Sequence, residues 1–333
     1  MNPTLAAGVD IGSSKVLAVA VDETGAVLAT SRLPSNGGAA GVVESAVEAV
    51  GRLGQHLGVP LSAFSVAGVG VPGLVRPQSG EVTHAVNLGV GAGTLSLGVR
   101  LADRLGVPVV VENDVNAAAL GAAQVLGLGD ADLAFLSIGT GLAAGLVTDG
   151  KLRRGERGAA GEIGHIPVDP AGPLCLCGQR GCLETLASGT AIATAWPVSD
   201  GLSPAAALFA AAAGGDARAV LVREAFADAM AAAVRLLVLT CDVETVVLGG
   251  GVTDLGDALL DDVVAALHRQ ATASPFLTAL DLPARVAIVP AGSAVAAIGA
   301  ALAGIEARDA AGIEARGAAV PAGWVDGAAV RPA

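Results

Sequence analysis

Short apolar runs and turn signals alternate along the first third of the chain. LAAGVDIG and VLAVAVDETGAVLAT read as strands, and Asp22 to Gly25 supplies the turn between the later two, which predicts a β-meander over residues 5–30. Apolar positions at helical spacing then predict a helix over 39–58, and the apolar run FSVAGVGVP predicts a buried strand over 64–72. TLSLGVRLADRLG has helical spacing over 94–106, and PVVVEND is a short buried strand that ends in polar residues. Strands alternating with helices imply a largely parallel sheet.

The pattern then restarts. ADLAFLSIGTGLAAGLVTDGKL reads as two strands joined by a Gly-rich turn, followed by a hairpin at Asp149–Gly150. Ala-rich helices are expected over 203–240, a buried strand in VETVVLGGGV, a last strand in ARVAIVPAG, and a helix in SAVAAIGAALAGIEA. Two halves that open alike predict an internal duplication. The repeat GIEARDAAGIEARGAA leads into a Gly-, Pro- and Ala-rich end, so 309–333 is expected to be a disordered tail.

Composition narrows the class. A chain of 333 residues, 53% hydrophobic, is long enough for two cores, and with aromatics at 2% these must be packed from Ala, Val and Leu. The expected division is a small lobe over 1–111, completed by a helix around 293–308, and a large lobe over 112–292. Net charge is −12 and the basic residues form no run, which argues against a nucleic-acid surface. The N-terminus has no charged n-region and reaches Asp10 early, and the long uncharged runs are broken by Pro60, Pro72 and Pro290. A cytoplasmic protein without membrane spans is the expectation.

Two glycine motifs point away from their usual ligands. GVGVPG at 68–73 matches a dinucleotide fingerprint, but Pro77 and the absence of helical period after it argue against a Rossmann turn. GLVTDGK at 145–151 copies a P-loop as far as its lysine, yet Leu152 stands where a Mg²⁺-binding hydroxyl is needed.

Three other turns agree with one another. DIGSSK places Asp10 at a strand end before the small residues Gly12 and Ser14 and before Lys15, a setting for phosphate with a carboxylate near Mg²⁺. IGTGLAAG repeats the arrangement with Gly139, Thr140 and Gly141. LGGGV brings Gly249, Gly250 and Gly251, where the backbone can lie close to a ligand. Each alone could be a tight bend. In this order they resemble the actin–hexokinase–Hsp70 superfamily of ATP-binding proteins.

ENDVNAAALG at 112–121 and GEIGH with CLCGQRGCLE at 161–184 narrow this, because they resemble the signature segments of the ROK family of sugar kinases and repressors. The resemblance implies an α/β, two-lobed actin-like (ribonuclease H-like) fold with sugar and ATP in a cleft between lobes. It implies Asp114 as catalytic base, Asn113, Glu162, His165 and Glu184 as sugar contacts, and Gly139–Gly141 and Gly249–Gly251 as nucleotide contacts. It also implies ATP with Mg²⁺ and a homodimer. The chain departs from the family in two loops: GSSK replaces G-G-T-K, and GLAAG replaces a more glycine-rich segment.

Phosphoryl transfer asks a protein for position, charge stabilisation and a base for the attacking hydroxyl. Asp114, at a strand end, suits the base role; the alternative is that Asp114 or Asn113 merely caps the following helix. Cys175, Cys177 and Cys182 in a C-x-C-x₄-C pattern, with His165, offer four ligands for a structural, tetrahedral Zn²⁺ in segment 165–182. The alternative there is a set of reduced core cysteines. Cys241 reads as a small core residue.

Among functions, a hexose kinase acting on the 6-hydroxyl of D-glucose leads. An N-acetylhexosamine kinase and a non-catalytic sugar sensor are the alternatives. A DNA-binding repressor is disfavoured, since the first phosphate-facing strand begins at Leu5 with no winged helix ahead of it.

Overall fold

The computed structural model describes residues 4–85, 88–89, 93–199 and 201–312. The tail expected from 309 begins inside the last helix, which runs to Ala310; from 313 onward it lies outside the described residues. The chain divides into two compact units, one made of residues up to Ala117 and from Ala296 onward, the other of Ala118–Val295.

The first unit starts with β1 (Leu5–Ile11), β2 (Lys15–Val21) and β3 (Val27–Pro34), an antiparallel meander turned as expected at Asp22. There Asp22 Oδ1 accepts from the main-chain N–H groups of Thr24 (2.8 Å) and Ala26 (3.0 Å). Helix α1 (Gly38–Leu57) follows because Val42, Val43, Ala46, Ala49, Val50, Leu53 and Leu57 recur every three or four residues and are all buried. β4 (Phe64–Val71) is buried along its whole length and pairs in parallel with β1.

Next come three short strands that, among the described residues, pair with one another in a separate sheet, β5 (Leu74–Arg76), β6 (Glu81–Thr83) and β7 (Thr94–Ser96). Thr94–Ser96 therefore departs from the expected helix: it pairs with β6, and α2 (Leu97–Leu105) starts only after it. β8 (Val109–Asn113) pairs in parallel with β4 and leads directly into α3 (Asp114–Leu126). The main sheet has the order β3-β2-β1-β4-β8.

The second unit repeats this plan. β9 (Leu133–Ile138), β10 (Leu142–Thr148) and β11 (Lys151–Leu152) form an antiparallel meander. α4 (Gly189–Ala195), α5 (Pro204–Ala213) and α6 (Ala217–Cys241) precede β12 (Thr245–Gly249), which pairs in parallel with β9. α7 (Asp257–Ala271), α8 (Pro275–Leu280) and β13 (Val286–Ile288) complete the sheet in the order β11-β10-β9-β12-β13. The two orders correspond strand for strand, which is the duplication the sequence implied. P-loop spacing at 145–151 is thereby explained as a strand and its hairpin turn.

α9 (Val295–Ala310) follows β13, and from Ala296 onward it belongs to the first unit. It lies so close to β1 and β4 that a Cβ on Gly68 would fall on the carbonyl of Ala300, and one on Gly8 on that of Ala297. Of the glycines of GVGVPG, Gly68 serves this close approach of helix to sheet, Gly70 lies under Asp114 and Ala117 at the start of α3, and Gly73, at φ 106°, packs on the Thr83 carbonyl. No single helix among the described residues is long and apolar enough to cross a membrane.

Candidate active site and metal cluster

In the first unit, three parallel strands deliver polar residues to one edge of the sheet. The register pairs Asp10 with Gly70, Gly70 with Glu112, and Val71 with Asn113, so Asp10 and the Glu112–Asp114 junction share the carboxyl ends of β1, β4 and β8. Ligands of open parallel sheets bind at such edges. Asp10 is pushed up from 3.8 to about 7, first by burial and then by the charge of Asp114, with Lys15 opposing. Gly12 N–H donates to the Lys15 carbonyl (2.9 Å), which closes the turn that holds Ser14 and exposes Lys15.

The start of α3 separates the two roles weighed for Asp114. Asn113 is the cap: its Oδ1 accepts from the N–H groups of Val115 (2.9 Å) and Asn116 (3.1 Å), and its Nδ2 donates to the Gly73 carbonyl (3.1 Å). Asp114 is the first helical residue, where a carboxylate is favoured by the helix dipole, and its Oδ1 accepts from Val115 N–H at 3.0 Å. Glu112 was not singled out from the sequence. It is buried, and its Oε1 accepts from Asn113 N–H and Asn116 Nδ2, both at 3.0 Å, pinning the strand–helix junction. A glutamate inside an apolar strand with an asparagine four residues later was the available signal.

In the second unit, the turns after β9 and β12 also sit at neighbouring carboxyl ends, since Gly249 pairs with Ser137. Gly250, at φ 92°, packs against the backbone of Ile138, which brings Gly249–Gly251 up to Gly139–Gly141. The latter turn is held by Gly189 N–H on the Gly139 carbonyl (2.8 Å) and by Thr190 Oγ1 on the Thr140 carbonyl (2.7 Å). Of the two alanines that replace family glycines, Ala144 faces the core and Ala143 is only partly buried.

Two short 3₁₀ turns, Ile163–His165 and Leu183–Thr185, face each other through the Leu183 N–H to Ile166 carbonyl bond (3.0 Å). They carry Glu162, exposed, and His165 and Glu184, both partly buried. Glu184 Oε2 accepts from the N–H of Leu142 at 3.0 Å.

The same turns bring together the sulfur ligands. Ligand atoms of His165, Cys175, Cys177 and Cys182 all lie within 4.8 Å of one another, with Cys177 and Cys182 Sγ 3.6 Å apart and Cys175 Sγ 3.7 Å from His165 Nδ1. A tetrahedral ion with Zn–S bonds of ~2.3 Å requires edges of about 3.8 Å, so the cluster fits Zn²⁺ in both chemistry and size. Burial pushes the Cys182 thiol up to about 12, while the Gln179 amide, 3.4 Å from Cys177 Sγ, brings that exposed thiol down to about 6. A cation among the ligands would hold the three cysteines as thiolates and the imidazole neutral. Cys241, expected in the core, is exposed because it ends α6.

These features have relatives. The ROK family model matches residues 6–303. A glucokinase of Halalkalibacterium halodurans is 34% identical over 80% of this chain and 86% of its own. An N-acetylmannosamine kinase of Yersinia pseudotuberculosis is 36% identical over 77% of this chain and 86% of its own. A ROK family glucokinase from Streptomyces griseus, solved in complex with glucose and AMPPNP, superposes with a TM-score of 0.75 at 33% identity, covering 91% of this chain and 99% of that one. With the duplicated sheets and the family's signature segments matched along most of its length, this chain belongs to the ROK family.

Proposed function

We propose that the chain is an ATP-dependent sugar kinase that phosphorylates the 6-hydroxyl of D-glucose. The observation that carries this reading is the placement of Asp114 at the carboxyl end of a parallel strand, beside Asp10, with the capping work done by Asn113. A carboxylate so placed suits a general base for an attacking hydroxyl. Glucokinases at 34–35% identity and a relative solved with glucose and an ATP analogue support sugar and ATP as the substrates.

In this reading Asp114 takes the proton from the 6-hydroxyl. Glu162, His165 and Glu184 hold other hydroxyls, with Asn113 orienting the base through the cap it forms. Gly139–Gly141, Gly249–Gly251 and the Gly12–Lys15 turn contact the nucleotide. Asp10 would hold Mg²⁺, which when bound would supply charge neutralisation on the phosphates. Asp10 fits that role, since its paired negative charge with Asp114 is what an adjacent cation offsets. His165, Cys175, Cys177 and Cys182 would hold Zn²⁺ in a structural role, since four protein ligands would leave it no open position. His165 Nδ1 faces the sulfurs, so its Nε2 is the atom for a sugar hydroxyl. A cytoplasmic homodimer is the assembly this reading proposes; light scattering reads its mass.

N-acetylmannosamine is the second candidate substrate, favoured by the Yersinia relative at 36% identity. The test is kcat/KM for glucose, mannose, N-acetylglucosamine and N-acetylmannosamine with ATP and Mg²⁺. Glucose leading supports the proposal. An N-acetylated sugar ahead by tenfold or more replaces glucose, and no turnover of any sugar returns the sensor reading.

A further inference from the structure

We infer that Glu184 is a positioning residue for the Gly139–Gly141 turn, so that the metal-tied segment sets the affinity for nucleotide as well as for sugar. The inference rests on the reading of that turn as a nucleotide contact and goes beyond it by giving Glu184 a second task. The bond from Leu142 N–H to Glu184 Oε2, at 3.0 Å, fixes the first residue after the turn. An acceptor that carries charge makes this bond stronger than an ordinary backbone contact. The same placement of Oε2 brings it against Gly141, where an added Cβ would meet it, so a side chain there would have to displace the carboxylate from Leu142 N–H. Glycine at 141 leaves the carboxylate room to stay on Leu142 N–H.

Leu142 is gripped on its other side as well. Its carbonyl lies where a Cβ on Gly164 would be, in the 3₁₀ turn that ends at His165. Glu184 in turn is two residues from Cys182, and its own turn is fastened to that cysteine by Thr185 N–H (2.9 Å) and Thr185 Oγ1 (2.7 Å) on the Cys182 carbonyl. A continuous path of short contacts thus runs from the metal ligands through Glu184 to the glycine turn, all within the second unit. A carboxylate has about four lone-pair directions, so one oxygen can hold the turn while the group still accepts from a sugar hydroxyl.

The test is calorimetric binding of AMPPNP without sugar, and of glucose without nucleotide, to the full chain reconstituted with zinc. Glu184→Ala is expected to weaken AMPPNP by about tenfold or more, the scale of losing one charge-assisted hydrogen bond. Glu184→Gln keeps a carbonyl for Leu142 N–H and should stay within about threefold of the parent for AMPPNP, while both variants lose affinity for glucose. Gly141→Ala should weaken glucose although it lies in the nucleotide turn. Should Gly141→Ala not fold, the Glu184 pair still decides. If Glu184→Ala binds AMPPNP as the parent does, the positioning role is overturned and the kinase reading stands. A parent that binds neither AMPPNP nor glucose overturns both.

Discussion

Replacing Asp10 by Asn should stabilise the protein while abolishing the proposed activity. In the folded chain this carboxyl is pushed from 3.8 to about 7 by burial and by Asp114. A raised carboxylate means the fold prefers the protonated form, so ionising Asp10 costs stability. The cost is absent below the unfolded value near 4, grows as pH rises, and is complete above about 7. At ~1.4 kcal/mol per tenfold change in proton affinity, it reaches about 4 kcal/mol at pH 8 and about 1.5 kcal/mol at pH 5. Asn removes the charge at nearly constant volume. Urea denaturation of parent and Asp10→Asn without divalent cation, at pH 5 and pH 8, should show the variant ahead at both and the gap wider at pH 8. Mg²⁺ should narrow it by stabilising the parent alone. A gap that does not change with pH, or a parent more stable at pH 8, would refute the argument that Asp10 is held strained. Functional sites are where a stabilising substitution costs activity.

Asp114→Asn is expected to keep the fold and lower kcat by roughly 10²–10⁴-fold, with initial rates as the measurement; near-normal turnover would leave Asp114 only its place in the helix start. Elemental analysis should find one zinc per chain, and chelation should lower Tm, since a bound structural ion contributes folding free energy. That loss should set in more readily as pH falls, because protonated thiols and imidazole release the ion. Cys182→Ala, at a buried ligand, should act through metal content and stability. Gly68→Ala should cost ~3 kcal/mol or more in chemical denaturation, because the new methyl meets the Ala300 carbonyl and neither strand nor helix can yield without moving the sheet.

The sheet strands and most long helices were legible because each buries a continuous apolar run or a regular apolar stripe. What the sequence hid has physical reasons. Thr94–Ser96 shares its apolar spacing with the helix that follows, and only pairing with Glu81–Thr83 makes it a strand. The helix at Asp257–Ala271 was not singled out, although Leu259, Val263, Ala266, Leu267 and Ala271 are buried on one face of it. The glycines of GVGVPG carry a ligand-like spacing for packing reasons: Gly68 meets a helix more than 200 residues away in the chain, while Gly70 and Gly73 meet Ala117 and Thr83.

The grouping of His165 with Cys175, Cys177 and Cys182 was the most legible chemistry, because sulfur side chains at short spacing leave few other uses for themselves in so apolar a chain. The glycine turns after β1, β9 and β12 were legible as turns. Less visible was the division of labour at the strand–helix junction, where two adjacent polar residues could each have capped the helix. Geometry gives the cap to Asn113 because the helix starts at Asp114 and the Asn113 Oδ1 takes both the Val115 and the Asn116 N–H, whereas Asp114 shares only that of Val115. Glu112 then holds Asn113 and Asn116 from the buried side, so three polar residues fix the orientation of a fourth. A similar arrangement recurs in the second unit, where Glu184 reaches past Gly141 to Leu142 N–H. In both places the residue with the recognisable motif is aimed by a neighbour whose role depends on a contact across the fold, and spacing along the chain cannot reveal such a contact.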